Sequence, residues 1–176
     1  MKRKTAGFTL IETMTVLAIL AITLAMGLPA FGEALQRNRT QTTMHLLSAD
    51  MAMARGSAIM RRTAVVICPR GADGRCGADK DWSDGWIVFT DRDGNRLPDL
   101  DEDVLRSEDA PAADDPSMRL YSSRPLLRYQ PDGRSAHSNL TVHVCTNGKV
   151  AGRVIVNNLG RVRTTRDTGG ASCPGR

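Results

Sequence analysis

The feature that most restricts this chain is an apolar segment near its N-terminus, residues 8–28, which contains one ionisable side chain, Glu12. At ~1.5 Å per residue this segment forms a helix about 31 Å long, which matches the hydrocarbon core of a bilayer. Three cations at residues 2–4 precede it, and such a basic cluster stays on the cytoplasmic side. A single membrane-spanning helix is therefore predicted.

A plain membrane anchor does not explain Glu12. An unpaired charge at mid-bilayer costs about 2.5–3.5 kcal/mol, so Glu12 is expected to have a partner. A secretory signal peptide is disfavoured, because the apolar run is too long and Pro29-Ala30-Phe31 is a poor cleavage site. A simple anchor is the remaining alternative at this point.

The residues around Glu12 resemble the N-terminal signature of type IV pilins and pseudopilins. That signature is a short basic leader ending in Gly, then Phe-Thr-Leu-Ile-Glu and an apolar helix, and this chain reads GFTLIE over residues 7–12. The resemblance implies that prepilin peptidase cleaves between Gly7 and Phe8, usually with N-methylation of the new terminus. It also implies that Glu12 pairs with the terminal amine of a neighbouring pilin, so that the costly charge is satisfied only on assembly.

The chain is predicted to have four parts. Residues 1–7 are the leader, residues 8–29 the transmembrane and filament-core helix, residues 30–63 its amphipathic continuation, and residues 64–176 a β-rich globular domain with a basic C-terminal region. The helix is expected to end near Arg62. The stripe that we expect a sheet to cover follows steps of three or four residues. Its members are Phe31, Leu35, Asn38, Thr42, Leu46, Ala49, Met53, Gly56 and Met60.

Short apolar runs separated by turn sequences predict an antiparallel sheet after the helix. WIVFT occupies residues 86–90, while LTVHVC and GRVIV flank Asn147-Gly148, a strong hairpin signal. GRVR at residues 160–163 fits either a last strand or the start of a tail. A long N-terminal helix followed by an antiparallel sheet is an α+β fold class, of the type IV pilin kind.

Four cysteines, Cys68, Cys76, Cys145 and Cys173, allow three disulfide pairings. A domain delivered outside the inner membrane lies in an oxidising compartment, where disulfides are expected. Proximity in the sequence favours Cys68–Cys76, which leaves Cys145–Cys173. A zinc site is the disfavoured alternative, because these spacings are not those of a metal finger.

The globular part resembles the GspH/FimT family of minor pilins and pseudopilins. That family carries a Trp-x-x-Gly-Trp-x-x-Phe block, which Trp82, Gly85, Trp86 and Phe89 match. FimT-like members belong to type IV pili and GspH-like members to type II secretion systems. Some FimT-like proteins are implicated in natural transformation, where a C-terminal Gly-Arg-x-Arg motif binds DNA.

Residues 160–163 of this chain match that motif residue for residue. In an extended strand, Arg161 and Arg163 project to one face about 6.6–6.8 Å apart, which suits contact with successive phosphates. Residues 149–176 hold six Lys or Arg against one Asp, so this region is basic. The patch is expected to include three further cations, Arg166, Arg153 and Lys149.

The acidic segment at residues 91–102 has some features of a calcium loop. Gly94 is its fourth residue rather than its sixth, so a solvated hairpin loop is favoured over a calcium site. The side chains at calcium-loop positions one, three, five, nine and twelve are Asp91, Asp93, Asn95, Asp99 and Glu102.

Catalysis has little support in the sequence. His45, His137 and His143 lie far apart, and no nucleophile elbow, phosphate loop or acid/base pair is present. We therefore predict no enzyme, no cofactor and no metal site.

The predicted protein is a minor pilin, single-pass in the bacterial inner membrane before assembly and periplasmic or extracellular in the pilus afterwards. Its predicted partners are other pilins, prepilin peptidase and double-stranded DNA. Two alternatives stay open: a pseudopilin of a type II secretion system, and a structural initiator of pilus assembly that does not bind DNA.

Overall fold

The structure is a computed structural model that describes residues 7, 9–100, 103–109, 115–135 and 137–175. The chain divides into two compact units, Met1–Arg39 and Thr40–Arg176. Two residues singled out in the sequence, Phe8 and Glu102, lie outside the described residues, as does most of the predicted leader.

One helix, α1, runs from Leu10 to Arg61 and continues through Pro29. It contains a window of mean hydropathy 2.2, which is long and apolar enough to cross a membrane. Arg62 follows with a left-handed backbone (φ 52°), a conformation that commonly ends a helix. The helix therefore ends where the sequence predicts.

Eight strands follow in two antiparallel sheets, so the fold class is α+β as predicted. The first sheet has the order β3-β2-β1-β5 and the second β4-β6-β7-β8. The strands are β1 (Ala64–Pro69), β2 (Gly85–Asp91), β3 (Val104–Asp109), β4 (Met118–Ser122), β5 (Leu127–Tyr129), β6 (Leu140–Thr146), β7 (Lys149–Val156) and β8 (Val162–Arg166).

The main core is built from α1 and both sheets. Leu47 and Met51 of α1, Trp86 of the first sheet, and Leu120 and Val142 of the second are all fully buried in one cluster. A smaller cluster on the other face of the first sheet contains Val66, Cys68, Ile87 and Phe89. This second cluster explains why β1 and β2 are buried along their whole length.

The face of α1 that packs in this core is rotated from the predicted stripe, of which Leu46 and Met53 are partly buried against the core. Thr42, Ala49 and Met60 are exposed, and Met60 keeps 79% of its surface accessible. Asp50, which the predicted stripe leaves out, lies on the buried side. The buried residues of α1 are Thr40, Thr43, Met44, Leu47, Asp50, Met51, Ala54, Ser57 and Ala58.

Asp50 is tolerated in the core because its carboxylate has two partners. The indole nitrogen of Trp86 donates a hydrogen bond to Asp50 Oδ2 at 2.8 Å. Arg106 Nε lies 2.8 Å from Asp50 Oδ1. A buried carboxylate paired in this way avoids most of the cost of desolvation. Trp86 of the Trp-x-x-Gly-Trp block is thereby fixed to α1.

Two disulfides are present, Cys68–Cys76 and Cys145–Cys173. They are the pairs that proximity in the sequence favours. The first closes the loop after β1. The second ties the chain after β8, residues 167–175, to β6, and we call these residues the C-terminal segment.

The acidic segment forms the connection between β2 and β3. Asp91 is buried, and its Oδ2 accepts a hydrogen bond from Arg128 Nε at 2.8 Å. The amide of Asn95 donates to both Asp93 (2.8 Å) and Asp99 (3.0 Å). Within the described part of the chain, no group of three or more His, Cys, Asp or Glu side chains is arranged to hold a metal ion.

Candidate nucleic-acid interface

The turn between β7 and β8 fixes the start of the Gly-Arg-x-Arg motif. Gly160 N–H donates to the Asn157 carbonyl at 2.8 Å, and Arg161 N–H donates to Asn157 Oδ1 at 2.9 Å. Gly160 has φ +77°, and a β-carbon added there would lie 2.1 Å from the carbonyl oxygen of Gly133. Only glycine fits this position, so the first residue of the motif has a structural role.

The two arginines of the motif lie at the edge of the second sheet. GRVR leads into β8, which is a strand rather than the start of a tail, and β8 ends the sheet order. Arg161 and Arg163 are both exposed. In the part of the chain that the structure describes, neither guanidinium group has an ion-pair partner. Both are therefore accessible to an anionic ligand.

Arg163 points away from α1. On β7, Val154 and Val156 are buried in the core, so Ile155 between them lies on the opposite face. Arg163 is the cross-strand partner of Ile155, and directly opposed residues share a face. We call this face of the second sheet the outer face.

Arg166 does not widen the patch on this face as the sequence suggested. It pairs with Gly152, whose added β-carbon would lie 2.4 Å from Met44 Sδ of α1. Arg166 therefore lies on the face that carries α1, and its Nη2 donates to Gln41 Oε1 at 2.9 Å. Arg166 is three positions after Arg163, and successive side chains of a strand point to opposite faces, so the two arginines lie on opposite faces of the sheet.

The other two predicted cations also stand apart from the motif. Arg153 is on the outer face one strand inward, but its guanidinium is paired with the Asp167 carboxylate, so its charge is offset. Lys149 is at the far end of β7, six residues from Ile155, which is about 20 Å along the strand. The structure thus brings together Arg161 and Arg163, and not all five cations.

The C-terminal segment covers part of the outer face. Val150 N–H donates to the Ala171 carbonyl at 2.8 Å, and Cys173 N–H donates to the Gly148 carbonyl at 2.9 Å. Gly175 lies against the ring of Tyr121 on β4, where an added β-carbon would be 2.5 Å from the ring. The segment therefore runs from β8 across the sheet towards β4.

His143 lies on this covered face between Tyr121 and Arg153, its cross-strand neighbours. Its Nδ1 is buried, with no hydrogen-bond partner among the described residues. Burial lowers the pKa of His143, the nearby charge of Arg153 lowers it further, and Asp167 opposes both. The lowered pKa favours the neutral imidazole at neutral pH.

A cation that the sequence analysis missed lies beside the motif. Arg134 is exposed in the loop at residues 131–135. The residues on both sides of it contact the turn between β7 and β8, which we call the motif turn. Ser135 N–H donates to the Asn158 carbonyl at 3.2 Å, and its hydroxyl donates to the Asn157 carbonyl at 2.6 Å. More than twenty residues separate the two loops, so no local pattern could have linked them.

Arg55 of α1 holds both loops. Its Nε donates to the carbonyl of Gly133 at 2.9 Å, and its Nη2 donates to the carbonyl of Leu159 at 3.1 Å. The planar guanidinium presents its donors in a rigid fork, so one side chain fixes the separation of two backbone segments.

At the other end of the chain, Glu12 is exposed in the first turn of α1. Its backbone N–H donates to the hydroxyl of Thr9 at 3.3 Å, so Thr9 caps the helix. Gly7 is exposed and precedes the helix.

Comparisons with known proteins place this chain in a family. The model of the type II transport protein GspH matches residues 43–160, more than half of the chain. The prokaryotic N-terminal methylation motif matches residues 2–28. No curated protein has a matching sequence. The GspH match ends at residue 160, so it does not include Arg161 and Arg163.

Solved structures show the same fold. A crystal structure of the type IV minor pilin FimU of Pseudomonas aeruginosa PAO1 matches with TM-score 0.58 and 20% identity, over 79% of this chain and 96% of that one. A second crystal form of FimU matches with TM-score 0.54 and 20% identity, over 71% and 91% of the two chains. This chain belongs to the GspH family, and its fold is that of the type IV minor pilin FimU.

Proposed function

We propose that this minor pilin binds double-stranded DNA without sequence preference through Arg161 and Arg163, and that this binding supports DNA uptake in natural transformation. The observation that carries the proposal is the position of the two side chains. Both are exposed at an edge strand, without an ion-pair partner among the described residues, on a turn that Gly160 fixes.

Guanidinium groups suit this role because they hydrogen-bond phosphate oxygens in a bidentate fork. Contacts to phosphate position a protein on a duplex but do not read the bases. Each neutralised phosphate contributes about −0.9 to the slope of log K against log salt, so two arginines contribute about −1.8.

The test measures binding of the full-length chain, in a non-ionic detergent, to two short labelled duplexes of unrelated sequence over a series of salt concentrations. We expect equal affinity for both duplexes. We also expect Arg161→Ala/Arg163→Ala to weaken binding and to flatten the salt slope by about 1.8.

The matched control is Arg119→Ala, which removes an exposed arginine from β4 at the opposite edge of the same sheet. It should change the slope much less than the double variant does. A double variant with the parent's affinity and slope would remove Arg161 and Arg163 from the mechanism.

The same proposal includes the maturation of the N-terminus. Prepilin peptidase removes residues 1–7 by cleavage between Gly7 and Phe8, and Glu12 then pairs with the terminal amine of a neighbouring pilin. The protein spans the inner membrane before assembly and becomes part of the pilus afterwards. Support comes from the N-terminal methylation motif and from the apolar part of α1.

Mass spectrometry of filaments from the native host should find Phe8 as the first residue. An intact leader there would contradict the proposal.

A second candidate is a pseudopilin of a type II secretion system, which the description of the matching family favours. Its partners would be other pseudopilins at the filament tip. Deletion of the gene separates the candidates, since loss of secreted enzymes indicates the secretion system and loss of transformation indicates the DNA-binding pilin. Loss of pili together with unchanged DNA binding in vitro would instead indicate a structural initiator of assembly.

A further inference from the structure

We propose that the DNA-binding surface extends onto the loop at residues 131–135, with Arg134 as a third phosphate ligand and Arg55 as the positioning residue that sets its distance from Arg161. This inference rests on the proposed function and adds to it a second loop, which lies outside the Gly-Arg-x-Arg motif.

The first support is that the two loops pack against each other and are hydrogen-bonded. The carbonyl of Gly133 lies against Gly160 so closely that a β-carbon has no room between them. Ser135 donates two hydrogen bonds to the motif turn, one to the Asn158 carbonyl (3.2 Å) and one to the Asn157 carbonyl (2.6 Å). Arg134 lies between Gly133 and Ser135, so both of its chain neighbours are bonded or packed against the turn that leads into Arg161.

The second support is the local order of Arg134 itself. Its N–H donates to Asp132 Oδ1 at 2.9 Å, and its carbonyl accepts a hydrogen bond from Gln130 N–H at 2.8 Å. The backbone is therefore fixed while the side chain is exposed. Within the described residues its guanidinium has no ion-pair partner, and the Asp132 carboxylate is engaged with the backbone.

The third support is the bridge made by Arg55. Two of its nitrogens donate to carbonyls in different loops, Gly133 at 2.9 Å and Leu159 at 3.1 Å. A lysine at this position keeps the positive charge, but it lacks the fork that reaches both carbonyls at once. Arg55 is only partly exposed, so we assign it a role in the spacing of the loops and not in contact with DNA.

The experiment uses the full-length chain in a non-ionic detergent and the labelled duplexes described above. Arg134→Ala should weaken binding and flatten the salt slope by about 0.9, the contribution of one phosphate. Arg119→Ala is again the matched control, because it removes the same charge from the far edge of the sheet. If Arg134→Ala and Arg119→Ala give the same affinity and slope, Arg134 does not contact DNA and the inference is wrong.

A double-mutant cycle tests the role of Arg55. Arg55→Lys leaves the net charge unchanged, so a loss of affinity in this variant cannot come from charge alone. If Arg55 positions Arg134, then Arg134→Ala should cost less in the Arg55→Lys background than in the parent. Additive effects of the two substitutions would contradict the positioning role, since an unrelated loss of stability would not couple to Arg134.

The outcomes also separate this inference from the proposal on which it rests. If Arg161→Ala/Arg163→Ala weakens binding and Arg134→Ala behaves like the control, only the extension to the second loop fails. If the parent shows no salt-dependent binding to either duplex, both the proposed function and this inference fail.

Discussion

Gly160 shows how a single residue sets the geometry of the candidate site. Its positive φ and its approach to Gly133 leave no room for a side chain. We expect Gly160→Ala to lower the free energy of unfolding by about 1–3 kcal/mol, because alanine is strained in this conformation. Thermal or urea unfolding of the full-length chain measures this.

Gly56 provides the matched control for that substitution. It lies in α1, and a β-carbon added there meets nothing within 4 Å. Gly56→Ala should raise the free energy of unfolding by about 0.5–1 kcal/mol, since alanine is the better helix former. A neutral Gly160→Ala variant would mean that the turn does not depend on glycine.

We expect His143 to make the stability of the domain depend on pH. It is packed between Tyr121 of β4 and Arg153 of β7, with Asp167 of the C-terminal segment nearby, and its pKa lies below the ordinary 6.5. The unfolded chain therefore binds more protons than the folded chain as the pH falls below about 6.5, so the contribution of His143 to stability is lost towards acid pH.

His143→Gln removes this contribution. We expect the free energy of unfolding of the variant to fall less steeply than that of the parent between neutral pH and about pH 5. Urea unfolding at a series of pH values measures the difference. Parallel curves for the two proteins would show that His143 does not titrate differently in the folded and unfolded chains.

Among the elements, the two disulfides close loops of different length, with sequence separations of 8 and 28 residues. Because the entropy removed from the unfolded chain grows with loop length, we expect loss of Cys145–Cys173 to cost about 3.6 kcal/mol and loss of Cys68–Cys76 about 2.5 kcal/mol. Paired Cys→Ala variants, unfolded in urea without reductant, give both values. The reverse order would contradict the loop-length argument.

Elements with a strong local signal could be predicted from the sequence. The Asn147-Gly148 hairpin, the strand at residues 86–90 and the end of α1 all follow from short-range patterns, and the structure contains each of them. Fold class follows from their order along the chain. These features depend on residues close in sequence, where backbone preferences and spacing are sufficient.

Features that depend on distant partners could not be predicted. The orientation of α1 depends on Asp50, whose burial requires Trp86 and Arg106 from other elements. Arg134 joins the candidate site only because the chain returns to the motif turn through Ser135. The side of the sheet on which Arg166 lies follows from the alternation of side chains along β8. The sequence alone left open whether this segment is a strand or a tail.

For the whole molecule, Glu12 should decide whether the protein enters a filament. We expect Glu12→Gln to reach the membrane normally but to be depleted from the filament fraction. A charged hydrogen bond is worth about 1.5–3 kcal/mol, which corresponds to a depletion of about tenfold to a hundredfold. Quantitative blotting of sheared filaments and of membranes measures the ratio.

Glu33→Gln is the control for Glu12, because Glu33 is an exposed carboxylate on the same helix that pairs locally with Arg37 at 3.5 Å. It should enter filaments at the parent's level. Equal incorporation of both variants would contradict the assembly role of Glu12.

The edge strand β8 also affects whether two copies of this protein can associate through their sheet edges. An unpaired strand edge is a template for adding a foreign strand, and native proteins commonly protect such edges with charge. Two copies that aligned their β8 strands would bring Arg163 of one close to the arginines of the other, and like charges oppose such pairing. We therefore expect these guanidinium groups to disfavour pairing between β8 strands, and a variant that lacks Arg161 and Arg163 to self-associate more readily.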